Sequence, residues 1–351
     1  MKKSLVALAL MGAFGGAYAQ SSVVIYGTLD TGIQKTTNTA NSATQISKRD
    51  NNKLGFRGVE DLGNGLKALF QLEIRYEPDT GVIENTSRPL FQGQSRVGLQ
   101  GSFGTVRAGR GLTAFQESTI AFEPWSGQPN VAGYMTNLQV AGYTSDPLGP
   151  AGNSGNRFSN AVWWNSPVWN GLQLNVNVGS KEANGNPVII GRGTAAAPQY
   201  PANAMASANP YSVSATYTQG PFSAMIATER NALETKLWAF AASYKPTTNL
   251  KLMGTIAKQD QEHTVAANNE TDSWVLGLNY TTGPGKILAG YGQKSPDGVL
   301  KTKQISVGYE YSLSARTYLY VDLASKKTPL TAAATSDVNQ KHYSLGIHHN
   351  F

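Results

Sequence analysis

The sequence predicts an all-β chain closed into a sixteen-stranded antiparallel transmembrane β-barrel. Three observations lead there. Apolar residues recur at every second position in segment after segment, short turns alternate with long polar stretches between those segments, and no internal stretch is long and apolar enough for a spanning helix. The composition agrees: of 351 residues, 40% are hydrophobic and only 15% charged, with 37 glycines, 16 tyrosines and no cysteine. A soluble enzyme typically carries about 25% charged residues. A barrel with one face in lipid and one in water needs neither that surface nor a large dry core. Without cysteine there is no disulfide, no thiolate metal site and no thiol nucleophile. The formal charge of +7 comes without the dense Lys/Arg blocks of a nucleic-acid arm.

In chain order, residues 1–19 are expected to be a cleaved secretory signal peptide. Lys2 and Lys3 form a basic start, Leu5 to Gly16 an apolar stretch, and Ala17-Tyr18-Ala19 an A-x-A cleavage site. The apolar stretch falls short of the roughly 20 residues a spanning helix needs. Cleavage leaves residues 20–351 as the barrel domain, and losing the two lysines takes the charge from +7 to +5.

Sixteen strands are then expected to begin near Val23, Lys53, Leu66, Gln94, Thr105, Arg157, Leu172, Tyr211, Phe222, Thr235, Leu250, Ser273, Lys286, Thr302, Ala315 and Lys341. The alternation is explicit in several of them. Leu66, Ala68, Phe70, Leu72 and Ile74 interleave with Lys67, Leu69, Gln71, Glu73 and Arg75, and Leu172, Leu174, Val176 and Val178 with Gln173, Asn175 and Asn177. The last set is Tyr343, Leu345, Ile347, His349 and Phe351. Short turns fall at residues 61–65, 101–104, 166–171, 220–221, 246–249, 282–285 and 312–315, and long polar stretches at 36–52, 78–92, 182–209, 259–272 and 326–341. Tight periplasmic turns and longer external loops have this rhythm. Aromatic residues at strand ends (Trp164, Trp238, Tyr244, Trp274, Tyr280, Tyr311) suit interfacial girdles, and distinguish a membrane barrel from a secreted sandwich or solenoid. A barrel of sixteen strands encloses an aqueous lumen rather than packed side chains.

Parity sorts the charges. With Leu54, Phe56 and Gly58 toward lipid, Arg57 faces the lumen, since a charge at the lipid midplane costs about 2–4 kcal/mol. The same rule turns Asp30, Lys67, Glu73, Arg75, Glu77, Arg96, Arg107, Glu310, Arg316 and Asp322 inward. Arg110 shares the parity of the lipid-facing Val106 and Ala108, so a bulge at Gly109 is expected to re-aim it. From Gly111 to Asn156 the alternation fails for longer than an idle loop normally runs, which marks a functional segment. Enzyme signals are weak. The four histidines (His263, His342, His348, His349) have no metal-ligand spacing, and there is neither a Ser/His/Asp arrangement nor a phosphate-cradling GxxxxGK. No catalytic residue, metal or cofactor is expected, and the scattered basic residues give nucleic-acid binding no support.

Five stretches carry a family resemblance: SSVVIYGTLDTGI, KLGFRGVEDLGNGLKALFQLE, SRVGLQGSFGTVRAGR, NRFSNAVWWNSPVWNGLQL and the closing YSLGIHHNF. The chain resembles the general porins of β-proteobacteria, including their anion-selective trimeric members. The resemblance implies a homotrimer among outer-membrane lipids and lipopolysaccharide, with the third external loop of each barrel folded into its lumen. It also implies that barrel-assembly machinery recognises the closing strand ending in Phe351. By the same resemblance, Arg57, Arg96 and Arg157 look like the basic cluster of a pore constriction, with Arg110 a fourth member. Glu77 looks like an acidic partner on the wall, and Glu117 or Glu123 could face the arginines from the loop. The function implied is passive diffusion of ions and small hydrophilic solutes across the outer membrane of a Gram-negative bacterium, with a preference for anions. The alternatives are a substrate-specific porin, a non-conducting structural or adhesive surface barrel and, less suited to so few histidines, a barrel-embedded hydrolase.

Overall fold

The computed structural model describes residues 22–84, 88–147, 154–180, 191–194, 197–199, 208–261, 270–329 and 335–351, so the expected signal peptide at 1–19 lies outside the described residues. The sixteen barrel strands are β1 (Ser22–Thr36), β2 (Lys53–Gly63), β3 (Leu66–Arg75), β4 (Gln94–Gly101), β5 (Gly104–Leu112), β6 (Arg157–Asn165), β7 (Leu172–Gly179), β8 (Tyr211–Gln219), β9 (Phe222–Arg230), β10 (Lys236–Tyr244), β11 (Leu250–Asp260), β12 (Glu270–Thr282), β13 (Gly285–Pro296), β14 (Thr302–Ser312), β15 (Thr317–Pro329) and β16 (Asp337–Asn350). Each pairs antiparallel with its neighbours in sequence, and β1 closes the ring by pairing Thr28–Thr36 with His342–Asn350 of β16. No helix of the described residues is long and apolar enough to cross a membrane. The expected strand starts hold within four residues. The largest differences are at β12 and β16, which begin at Glu270 and Asp337. Those ends project into the external loops, where both faces are wet and alternation no longer reports them.

Side chains of one parity form the outward belt, with Ile25, Val97, Ile226, Leu276, Ile305 and Leu345 all exposed as a lipid-facing surface requires. Trp238 near the external rim and Tyr244, Tyr280 and Tyr311 near the turn rim lie in this belt. Several inter-strand contacts pair an aromatic ring with a glycine. Tyr26 covers Gly55, Phe70 covers Gly58, and Tyr320 covers Gly346, in each case directly across the ladder. A ring laid over the bare backbone of a strand glycine locks register while letting the sheet curve.

Two connections differ from the sequence expectation. The links at 231–235 and 297–301 lie on the external rim yet are as short as periplasmic turns. Strand β2 also has an unexpected upper part. Gln45–Ser47 pairs with β1 at Gly32–Gln34, and β2 proper resumes with Lys53 opposite Thr28. Five residues, Lys48–Asn52, therefore stand opposite only three, Leu29–Thr31. The surplus folds into the lumen as an inward detour. Arg316, expected inside, sits in the exposed turn before β15.

The segment after β5 turns into the barrel. Helix α1 (Ala114–Thr119), capped by the Thr113 hydroxyl accepting from the Gln116 amide, is followed by a 3-10 turn at Ile120–Phe122 and a π-helical turn at Met135–Gln139. Phe115, Phe122, Val140 and Tyr143 pack on Met225, Leu237 and the small inward residues Ala227, Ala239, Ala241 and Ala257. Farther round the wall, Pro124, Tyr134 and Leu138 rest on Gly277, Gly290 and Gly292, where a Cβ would collide with them. Small residues on the inner faces of β9–β13 thus make a seat for the loop.

Gly346→Val is expected to displace the Tyr320 ring at the β15–β16 junction and destabilise the barrel by about 1–3 kcal/mol. A lower temperature for loss of the compact band on semi-native gels would register it, and an unchanged temperature would remove the register role from this pair.

Candidate functional site

With loop 3 seated on β8–β14, the open lumen is bounded by the loop on one side and by β1–β6 and β16 on the other. The basic residues of that wall come from alternate positions of neighbouring strands. Arg57 of β2, Gln71 of β3 and Arg96 of β4 stand directly opposite one another across the ladders, so all three point inward. Arg96 Nε donates to Gln71 Oε1 at 3.0 Å. Glu117, on α1, reaches across from the loop: its carboxylate lies 3.0 Å from Arg96 and 3.5 Å from Arg107. Arg57 forms no ion pair among the described residues and is exposed to the lumen, its guanidinium 5.2 Å from the centre of the Tyr26 ring. Arg57, Arg96 and Arg107 border one cavity of about 390 Å³.

Arg110 and Arg157 occupy a different place. The β5–β6 register skips at Arg110, and Gly109 takes a φ of +128°. The bulge buries the Arg110 side chain, whose Nε donates to the Gln92 carbonyl and whose charge lies among those of Asp146, Arg88 and Arg75. Arg157 is also buried. Its Nε donates to the Gly93 carbonyl at 2.7 Å and its Nη1 to Asn156 Oδ1 at 2.6 Å. Both guanidiniums hold the backbone of the second external loop where it meets β4.

Two acidic residues are not beside the arginine row. Glu77 is paired with Lys48 of the inward detour at 2.9 Å, because it lies beyond β3 on the second external loop. Glu84 shares that lysine at 2.7 Å. Burial alone would raise the Glu84 pKa, but its bond to Lys48 and the charges of Lys48, Arg75 and Arg157 bring it below the usual value. Glu123, expected as one possible facing charge, is turned into the packed loop. Its carboxylate accepts from the amides of Gly127 at 2.9 Å and Tyr134 at 3.1 Å, so its work is to fold the loop tip. Phe351 is exposed on the outer face, and its backbone exchanges two 3.1 Å hydrogen bonds with Gly27 of β1.

A further arginine, missed by parity, organises the opposite end of the loop. Arg49 sits on the inward detour with its side chain wholly buried. It contacts Glu310 at 2.7 Å and Asp322 at 3.1 Å, and stacks 4.7 Å above the Tyr320 ring. Its backbone amide donates to Asp30, whose carboxylate also takes the Tyr320 hydroxyl and meets His348 at 3.0 Å. Burial would lower the Arg49 pKa, but the charges of Asp322 and Glu310 carry it above the ordinary arginine value. Trp125 of loop 3 donates from Nε1 to the other Asp322 oxygen at 2.8 Å. One carboxylate thus joins the loop 1 arginine to the loop 3 tip. The signal for it lay in the Lys48-Arg49-Asp50 run, the only charges in the polar stretch 36–52.

Removing one partner of a buried ion pair costs about 3–5 kcal/mol. Arg49→Ala should lower the unfolding temperature and make the open-channel current noisier, as Asp322 repels Glu310 and loosens Trp125. Asp322→Asn added to it should restore part of both, and quiet current with wild-type stability in Arg49→Ala would refute this anchor. A pH effect follows from Glu123, whose carboxyl burial pushes up to about 7 against the backbone donors that favour its charged form. A carboxyl raised by folding contributes its full stability below the unfolded value near 4.5 and loses it as the pH climbs through about 7. Glu123→Gln should therefore flatten the fall in unfolding temperature between pH 5 and 8, and a slope equal to wild type would assign that fall to another group.

Known proteins share this architecture. A family model described as Gram-negative porin matches residues 5–329. Outer membrane porin protein 32 of Delftia acidovorans is 30% identical over 338 residues, covering 93% of this chain and 90% of that protein. An outer membrane porin protein of Bordetella pertussis is 26% identical over the whole of both chains. The solved structure of an anion-selective porin from Comamonas acidovorans superposes with a TM-score of 0.77 at 25% identity, covering 95% of this chain and 100% of that one. The closed sixteen-stranded barrel, the loop seated in its lumen and these matches lead to one conclusion: the chain belongs to the Gram-negative porin family.

Proposed function

We propose that this outer-membrane diffusion channel prefers anions, and that Arg57, Arg96 and Arg107 set the preference where Glu117 narrows the lumen. The observation that carries the reading is the imbalance on that row. Three guanidiniums border one cavity, and among the described residues the one carboxylate paired with any of them is Glu117, which leaves Arg57 without an ion pair there. Arginine stays ionised at any working pH, and a surplus of one sign in a narrow aqueous gap selects ions. Above the row, Arg75 is paired with Glu73 at 3.5 Å, and Glu77 and Glu84 share Lys48, so these charges lie outside the cavity that the three guanidiniums border. The relative titled anion-selective supports the same sign.

The family and the fold support a channel rather than an enzyme. The finer assignments rest on the resemblance read from the sequence. These are assembly as a homotrimer among lipids and lipopolysaccharide, export by the leader at 1–19, and recognition of the strand ending in Phe351 by the assembly machinery. The bond pair between Phe351 and Gly27 supports the last, since that residue is where the ring of strands closes.

The test is the reversal potential of the protein in a planar bilayer under a salt gradient. Arg57→Glu reverses one charge in the gap and should move the potential toward cations at about 0.15 M salt, where the Debye length is roughly 8 Å. The shift should shrink at about 1 M, where that length is roughly 3 Å. Lys327→Glu, on the outer face, should change it little. An unmoved potential in Arg57→Glu at low salt, with normal unit conductance, would make this arginine structural, and no conductance at all would favour a surface barrel.

A further inference from the structure

The external half of the lumen contains a second polar cavity, of about 320 Å³, distinct from the arginine row. Its walls are the inward faces of β1, β14–β16 and the short strand Gln45–Ser47, its roof is loop 1, and its floor is the 130–138 part of loop 3. The size lies at the lower end of small-molecule sites, roughly 300–1,000 Å³. Most of the lining side chains are amides and hydroxyls, and Lys326 is its one charged group.

Much of that lining has unused hydrogen-bonding capacity. Lys326 is half-buried and makes no ion pair among the described residues. Lys294, the next inward cation, donates to Asn137 in the cavity floor, also lacks a carboxylate partner, and feels the Lys326 charge. Gln34 and Gln45 stand directly opposite each other on β1 and its short partner strand, with both amides turned to the cavity. Two enclosed ammonium groups that repel each other are stabilised by an anion between or beside them. Amide donors and acceptors that face a cavity pair well with a ligand that offers several hydroxyls.

We infer that this vestibule is a binding subsite for a small polyhydroxylated carboxylate, with the carboxylate on Lys326 and the hydroxyls on Gln34 and Gln45. The inference deepens the channel reading by naming a solute class and a place where the solute pauses before the constriction. A charged hydrogen bond from Lys326 fixes the acid end. The amide wall then separates such an acid from acetate, which has no hydroxyls to offer, and from glucose, which has no charge.

The probes are gluconate, glucose and acetate, measured by titration calorimetry on the detergent-solubilised protein and by current interruption from the external side of a bilayer. Gluconate should bind and interrupt the current, while glucose and acetate should do so at least about tenfold more weakly, as the loss of one charged or several neutral hydrogen bonds implies. Lys326→Gln should weaken gluconate about tenfold or more, and Gln34→Leu with Gln45→Leu should weaken gluconate while leaving acetate unchanged. Neither variant should alter the sign of the reversal potential in plain salt. Equal affinity for gluconate and acetate, or for gluconate and glucose, overturns the inference, as does wild-type gluconate binding in Lys326→Gln. Calorimetry reports the subsite whether or not the protein conducts, so a failure of the channel reading shows separately, as a silent bilayer.

Discussion

Every backbone N–H and C=O inside a bilayer has to find its partner within the protein, and this one requirement shapes the whole chain. Strands can meet it only as a closed ring, here completed where β1 meets β16 and where Phe351 and Gly27 exchange their backbone bonds. Closure fixes which way each side chain points, and the hydrocarbon outside then drives charge inward. The lumen receives its arginines and carboxylates as a consequence. The glycine–aromatic pairs at Gly55, Gly58 and Gly346 serve the same end, because a curved sheet keeps its ladder only if its register cannot slip.

Once charge is inside, the barrel has to manage it. At the arginine row, water and a single carboxylate from loop 3 do so, and much of the positive charge stays available to ions. Near β14–β16 the acids Asp30, Glu310 and Asp322 are removed from the conduction path by Arg49, Tyr320, His348 and Trp125. The sign of the pore therefore depends as much on which acids are hidden as on which arginines are shown. Loop 3 takes part in both arrangements, through Glu117 at one end and Trp125 at the other, which ties the width of the passage to its charge.

How much of this was legible in the sequence follows from what alternation can report. Period two tells which face a residue takes, so the strands at Lys53, Leu66, Arg157, Tyr211 and Leu250 could be read to the residue, and Arg57 and Arg96 could be placed inside. The Gly109 bulge was legible too, as a phase error that only an extra residue corrects. Alternation is silent about neighbours across the ring. Arg49 meets Glu310 across 261 positions of sequence, and nothing near Arg49 announces that carboxylate. Glu123 could not be told from Glu117 for a related reason: on a stretch without period, facing the pore or facing the loop's own amides depends on folding that has no local signature. Arg157 resembles a cluster member in sequence, and its bond to Gly93 is visible only once the second loop is in position.

The detour at Lys48–Asn52 has one more consequence. The sheet is joined on both sides of it, by Ser47 opposite Gly32 above and Lys53 opposite Thr28 below, so the five residues between hang into the lumen from an unbroken frame. Lys48 reaches the second loop, Arg49 the acids of β14 and β15, and Asn52 exchanges two hydrogen bonds with the Asp30 backbone of β1. A protein engineer who keeps Arg49 and Asn52 could vary Asp50 and Asn51 and retune the conduit from within, leaving the lipid-facing shell untouched. External loops, the customary grafting sites, offer variation only at the mouth. Here the same freedom reaches the interior.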